Sequence, residues 1–253
     1  MAFISISDPP KRGFNRRRKM YHIAGLLVPV MLYFDVFRFL DDDPFISRKV
    51  VIGLLIAANI VLFVMEYFRL NHSGFRDFFN RMFGPLMKPS EQNRIHGTVA
   101  YMISNLILVL FFSDEVVALS LTFLVLADPL AALVGIYFGR LRFFNGKTLE
   151  GLLAFIIAST IYGMIFYLVQ DFLGRGMLPF TFAEGHYGTV FFILIFSTVV
   201  SALAEFFSFT TLYGLVDDNL IVPLAAAFAF AVSAVAIAGF PKAIVFFDLS
   251  LIL

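Results

Sequence analysis

The chain has no cysteine. That excludes disulfides, thiol nucleophiles and cysteine-held metals, and by itself says nothing about compartment. It has no tryptophan either, and 34 phenylalanines carry much of the bulky apolar surface. An excess of charge is also missing. The 19 Lys and Arg against 18 Asp and Glu leave +1 at pH 7, so nothing in bulk favours nucleic acid as a partner. There is no internal repeat and no low-complexity linker. What the chain has is apolar residues: 60% of its 253 positions are hydrophobic and the mean hydropathy is +0.89, far above that of a soluble domain.

A bilayer is crossed by about 20 mostly apolar residues. Such stretches occur roughly at 21–40, 48–69, 97–113, 116–138, 150–170, 188–204 and 220–240. They predict an all-α fold: a polytopic integral membrane protein of about seven transmembrane helices. A basic segment, 1–20, precedes a single multi-span domain over 21–253. The first apolar run exceeds the ~7–15 residues of a signal-peptide core and no Ala-x-Ala-like site follows it, so it is expected to stay as a span.

Lys and Arg set the orientation. Arg16-Arg17-Arg18-Lys19, then Arg76, Arg81, Lys88 and Arg94, then Arg140, Arg142 and Lys147 fall on one side. Asp41-Asp42-Asp43, Asp114-Glu115 and the segment 171–187 fall on the other, with Arg48-Lys49 as the exception. The N-terminus is therefore expected in the cytosol, with cytosolic connections at 70–96, 139–149 and 205–219. Phe75, Phe78, Phe79, Met82 and Phe83 have helical spacing and predict an amphipathic interfacial helix ended by Gly84-Pro85.

Ionisable groups at the edge of a bilayer are costly, and membrane proteins keep them mainly for function. His22, Glu66, Glu91, Arg140, Lys147, Glu150, Glu205, Asp217 and Asp218 all fall near the expected cytosolic face, while the outer loops offer no comparable set. Asp128-Pro129 lies inside the fourth span. A carboxylate beside a proline-broken helix can reach a cation, the alternative being a buried Asp bonded to a neighbouring helix. Gly146-Lys147-Thr148 invites a P-loop reading, which fails because position 141 is Leu and no strand precedes it. What survives is a glycine-flanked basic loop entering a helix at Leu149-Glu150-Gly151. That is a natural phosphate site, or else plain topogenic charge. Asp217-Asp218-Asn219 offers hard oxygens that suit Mg²⁺, and one of the three is expected to cap the last span. Asp41-Asp42-Asp43 reads as a solvated turn.

In chain order these pieces are Arg18-Lys19-x-x-His22, Glu66-x-x-Arg69, Phe83 to Glu91, Ala127-Asp128-Pro129 with Gly135 and Gly139-Arg140, Lys147-Thr148-x-Glu150-Gly151, Glu205, and Asp217-Asp218-Asn219-Leu220-x-x-Pro223. The series resembles the polyprenol kinase family, which groups dolichol, phytol and farnesol kinases with CTP-dependent diacylglycerol kinases. The likeness covers roughly residues 16–224, and the stretch 83–91 leans towards the diacylglycerol kinase branch. The chain departs from the family pattern at Pro129 and His96-Gly97, positions that bear on substrate and nucleotide preference.

The resemblance implies an integral membrane lipid kinase. It would move the γ-phosphate of a nucleoside triphosphate, CTP or else ATP or UTP, to a lipid alcohol such as diacylglycerol or a polyprenol. Mg²⁺ would be held by Asp128, Asp217 and Asp218. Arg140, Lys147, Thr148, Asn219, Lys19 and His22 would face the nucleotide, and Glu150, Glu91 or Glu205 would take the hydroxyl proton. The implied site lies at the cytosolic face of a bacterial inner membrane or an endoplasmic-reticulum-type membrane, with the bilayer, the lipid alcohol and the nucleotide as partners. Phosphatidate cytidylyltransferases are distant kin, but their Lys-Asp and Pro-Gly-His-Gly-Gly signature is missing from the last spans. A transporter or scramblase is the reading from another class. Against it stand the lack of a repeat and the gathering of ionisable residues at one face.

Overall fold

The computed structural model describes residues 4–5, 23–84, 87, 91–143, 145–173 and 187–252. Lys19 and His22 lie outside the described residues, as do Lys88 and most of the 171–187 connection. Almost everything described is helix. In chain order the helices are α1 (Ala24–Tyr33), α2 (Ile46–Asn71), α3 (Ser73–Phe83), α4 (Gly97–Phe111), α5 (Asp114–Tyr137), α6 (Leu149–Phe172), α7 (Tyr187–Phe207) and α8 (Asp218–Ile237). A two-residue strand β1 (Ile4–Ser5) pairs antiparallel with β2 (Arg142–Phe143).

Among the described residues five helices, α2, α5, α6, α7 and α8, are long and apolar enough to cross a membrane. α1 and α4 are shorter apolar helices. The sequence expectation of seven spans thus corresponds to seven apolar helices, of which five reach spanning length. The first differs most. A span over 21–40 was expected, but the helix stops at Tyr33, because Asp35 takes a left-handed backbone (φ 49°) and Val36 N–H turns back to Met31 O. Asp tolerates that conformation better than most residues, so one polar residue in an apolar run is enough to end the helix.

Pro129 does not break the fourth span. A π-helical turn, Phe123–Ala127, precedes Asp128 and Pro129, and α5 continues through both to Tyr137. A widened turn inside a helix relaxes the hydrogen-bond ladder where a proline would otherwise clash. The last helix ends in a second π turn, Val232–Ile237.

α5 is the central helix. In its most apolar window 67% of residues are buried, against 22% for α2 and α6, which present most of their surface outward. Leu121, Leu124, Phe155, Ile193, Val222 and Phe230 are all in the buried core. Dense packing of these side chains, rather than their removal from lipid, is what holds the helices together in a bilayer. α6 and α7 approach closely at Gly163, which faces Leu194, and Thr160 and Thr198 hydrogen-bond across the crossing at 3.2 Å.

The bundle has two polar ends. At one, the start of α4 meets the end of α2, the α5–α6 loop and the α7–α8 loop. At the other, Phe247 N–H reaches Phe111 O and Ser113 N–H reaches Val245 O, so the C-terminal segment covers the junction of α4 and α5. β1 joins the first end through β2. At the second end Asp41-Asp42-Asp43 forms an exposed turn, where the Lys49 ammonium at 2.7 Å holds the Asp43 carboxyl below its ordinary range.

Candidate active site

Three caps build the first polar end. His96 precedes α4, and its Nδ1 accepts from Thr98 N at 3.2 Å. Thr148 precedes α6, and its Oγ1 accepts from Gly151 N at 3.1 Å. Asp217 precedes α8, and its Oδ1 accepts from Asn219 N at 2.9 Å. Each satisfies an amide that the first helical turn leaves without a partner.

The segment 91–96 is held from below by Arg69, which is fully buried in α2. Its guanidinium forks onto Glu66, with Nε to Oε1 at 2.9 Å and Nη2 to Oε2 at 2.6 Å. Its remaining donors reach the carbonyls of Glu91, Gln92 and Arg94. Glu66 Oε2 also accepts from His96 N at 3.1 Å. From above, Ile95 N–H donates to Tyr213 O at 2.7 Å. Tyr213 and Leu212 both adopt positive φ in this turn.

Glu91, so positioned, is buried and lies 3.6 Å from His96 Nε2. Because Nδ1 accepts, a neutral ring carries its proton on Nε2, towards Glu91. Gly97 explains the close approach of the neighbours. A β-carbon there would sit 2.7 Å from Asn219 Nδ2, 3.0 Å from Asp217 Oδ2 and 3.4 Å from Glu91 Oε1. Asn219 Nδ2 in turn bonds Asp217 Oδ2 at 2.7 Å and Asp218 Oδ1 at 3.2 Å.

A second group lies alongside. Lys147 Nζ pairs with Glu205 Oε1 at 2.7 Å, bonds Ser208 Oγ at 3.0 Å and also meets Glu205 O. Glu205 is buried at the end of α7, and Asp128 and Asp218 both lie near enough to act on its charge. The structure therefore gathers Asp128, Lys147, Glu205, Asp217, Asp218, Asn219 and Glu91 at one end of the bundle. Among the described residues, no three acidic or imidazole groups come close enough to hold a metal ion on their own. Asp217 accepts from Asn219 through both oxygens and Asp218 through Oδ1, and Asp128 and Asp218 are hard-oxygen groups of the kind that suits an ion bringing phosphate oxygens with it.

Glu150, Arg140 and Thr148 are built into the 139–149 loop. Glu150 Oε1 accepts from Arg140 N at 2.9 Å and Leu141 N at 3.4 Å. Arg140 is exposed. Thr148 is buried in a notch formed by Gly135 of α5, Gly139 just beyond the end of α5 and the start of α6. A β-carbon on Gly139 would collide with Gly135 O and the Thr148 methyl. Gly139→Ala is accordingly expected to cost about 1–3 kcal/mol, read as a lower thermal midpoint in detergent; an unchanged midpoint would mean that this junction is not tightly packed.

Two features escaped the sequence reading. Glu66 and Arg69 were noted as a motif without a role; the sign available was an i, i+3 charged pair inside an apolar run. At the opposite end, Arg48, Ser113, Asp114 and Glu115 are brought together, contrary to the expectation that the outer side held no polar constellation. α2 carries Arg48 to the end of α4, which no local pattern foretold.

No family model matches the chain. It is similar to an uncharacterised protein of Rickettsia prowazekii, 27% identical over 214 residues, covering 83% of this chain and 90% of that one. It is similar to the CTP-dependent diacylglycerol kinase 1 of Schizosaccharomyces pombe, 28% identical over 175 residues, or 66% of this chain and 74% of the relative. The corresponding Saccharomyces cerevisiae protein is 30% identical over 152 residues, 59% of this chain and 49% of its own, so the chain matches about half of that relative's length.

Proposed function

We propose that this chain is an integral membrane lipid kinase that transfers the γ-phosphoryl group of CTP to the hydroxyl of a lipid alcohol. Diacylglycerol, named for the yeast relatives, is the first acceptor to test. The observation that carries the reading is the gathering of Asp128, Asp218, Glu205 and Lys147 beside Glu91 and His96 at one end of an apolar bundle. Phosphoryl transfer needs mainly positioning and neutralisation of charge, which such a set supplies.

In this reading the cytosol lies at the Lys147 end. The acceptor enters from the bilayer, hydroxyl foremost, and the nucleotide comes from water. All three carboxylates proposed as base have neighbours: two loop amides for Glu150, Lys147 for Glu205 and His96 for Glu91. Glu91, on a segment anchored by Arg69, is assigned as the base, with His96 holding its orientation. The hydroxyl oxygen attacks the γ-phosphorus as the bond to the β-phosphate oxygen breaks. CDP leaves and Glu91 takes the proton. Lys147 balances triphosphate charge with Arg140 at the mouth. Mg²⁺ bound with the nucleotide would be held by Asp128 and Asp218 and would neutralise charge on the β- and γ-phosphates.

The test is transfer of labelled γ-phosphate, from CTP and separately from ATP, by purified protein to a panel of lipid alcohols. Labelled lipid phosphate is expected. CDP-lipid formed from phosphatidate would point instead to cytidylyl transfer, and no product from any lipid would overturn the proposal. Lys147→Ala is expected to raise KM for CTP by about tenfold or more in a folded protein. Unchanged KM and kcat would remove Lys147 from this role.

A further inference from the structure

A cavity of about 630 Å³ opens at the other end of the bundle. Arg48 and Arg69 are 21 positions apart on α2, which at ~1.5 Å per residue puts the cavity roughly 30 Å from the Glu91 site. Its wall combines apolar side chains, among them Leu32, Phe45 and Leu251, with ionisable groups from α2, the start of α5 and the C-terminal segment. The size is that of an ordinary small-ligand pocket.

The cavity wall carries more acidic than basic groups, with Arg38 lying 4.0 Å from Asp35 outside it. Asp35, Asp114, Glu115 and Asp248 face Arg48 and Lys242. Arg48 is fully engaged: Nη1 donates to Val109 O and Phe112 O, and Nη2 to Phe112 O at 3.0 Å and Asp114 Oδ1 at 2.5 Å. Its guanidinium also lies 3.8 Å from the Phe247 ring centroid. Asp248 accepts from Ser250 N at 2.9 Å, closing its own turn. Lys242 is exposed.

Glu115 is left wanting. It is only 9% exposed, and its Oε2 is buried without a hydrogen-bond partner. Ser113, 5% exposed and one residue before α5, has an unpartnered Oγ as well. Both residues line the cavity. A buried carboxylate oxygen without a donor is expensive, and a ligand that brings N–H donors would relieve it. The acidic groups are too dispersed for a bare metal ion, since no three of them among the described residues form a metal-holding cluster. An ammonium group supplies both the charge and the N–H donors.

We propose that this cavity binds a primary ammonium group, with Glu115 Oε2 as its acceptor, Ser113 Oγ as a second, and the apolar wall taking the attached carbon chain. An aminophospholipid headgroup and a small free amine share that chemistry. A quaternary ammonium does not, having no N–H to give.

The test compares the full chain in nanodiscs containing equal phosphatidylethanolamine and phosphatidylcholine, with retained lipid read by native mass spectrometry. Phosphatidylethanolamine is expected to be retained about tenfold over phosphatidylcholine, the size of one charge-assisted hydrogen bond. Glu115→Gln and Ser113→Ala should each reduce that preference, and the wild-type comparison stands even if a variant does not fold. Ethanolamine added in solution separates the two sources. If it displaces the lipid, the ammonium suffices; if the lipid preference survives it, the lipid is the ligand. Equal retention of the two lipids with no ethanolamine binding, or a preference untouched in a folded Glu115→Gln protein, overturns the proposal.

Discussion

Arg69→Ala is expected to destabilise the protein by about 3–5 kcal/mol, the cost of breaking a buried ion pair by removing one member. Arg69 is fully buried, and its loss would leave the nearly buried Glu66 carboxylate uncompensated. Three carbonyls of the segment 91–94 would lose their donors at the same time. Arg69→Lys restores the charge but not the fork, so it should recover part of the loss. The double change Arg69→Ala with Glu66→Ala should be less damaging than the sum of the two, because it removes the stranded charge as well. Thermal unfolding of the purified proteins in detergent reads all of this. An Arg69→Ala midpoint equal to that of wild type would mean that the anchor is not needed to hold the segment.

Asp128→Asn should do the reverse: abolish activity and leave the fold intact. A fall in kcat of at least about 10³, near 4 kcal/mol in the barrier, is expected if this carboxylate meets the triphosphate and its ion. Asp128 lies near Glu205 at the same polar end of the bundle. Asparagine keeps the size of the side chain and removes only its charge, so the thermal midpoint should hold. Loss of activity together with a lower midpoint would make Asp128 a structural residue instead. Full activity would remove it from the site altogether.

Hydropathy alone located the seven apolar segments, because the ~20-residue apolar run is a signal of composition rather than of long-range contact. Where it erred, a single residue decided: Asp35 ends α1, while Pro129, expected to interrupt α5, is absorbed by a π turn. The capping role of Asp217 was legible, since Asp before an apolar run is a local signature. The pairing of Lys147 with Glu205 was not, nor the crowding of Gly97 by residues 91, 217 and 219. Those contacts join helices far apart in the chain and follow from how the helices cross. The Arg48–Asp114 pair was hidden for the same reason, and a lone basic residue at the wrong end of a span was its only trace.

The π turn at Phe123–Ala127 also fixes the phase of everything that follows it. One residue more than a regular turn rotates the rest of α5 by about 100° relative to an uninterrupted helix. Asp128 and the Gly135–Gly139 notch share the resulting angular frame, so Glu205 and Thr148 each meet the intended side of the helix. Deleting a single apolar residue here would leave composition and hydropathy almost untouched. It would also let the widened turn close to a regular one, so the carboxylate and the notch would keep their facing, whereas the same deletion between Asp128 and Gly135 would turn the notch by about 100° relative to the carboxylate. In this helix residue count acts as an angular coordinate, and the widened turn is where the helix has a residue to spare.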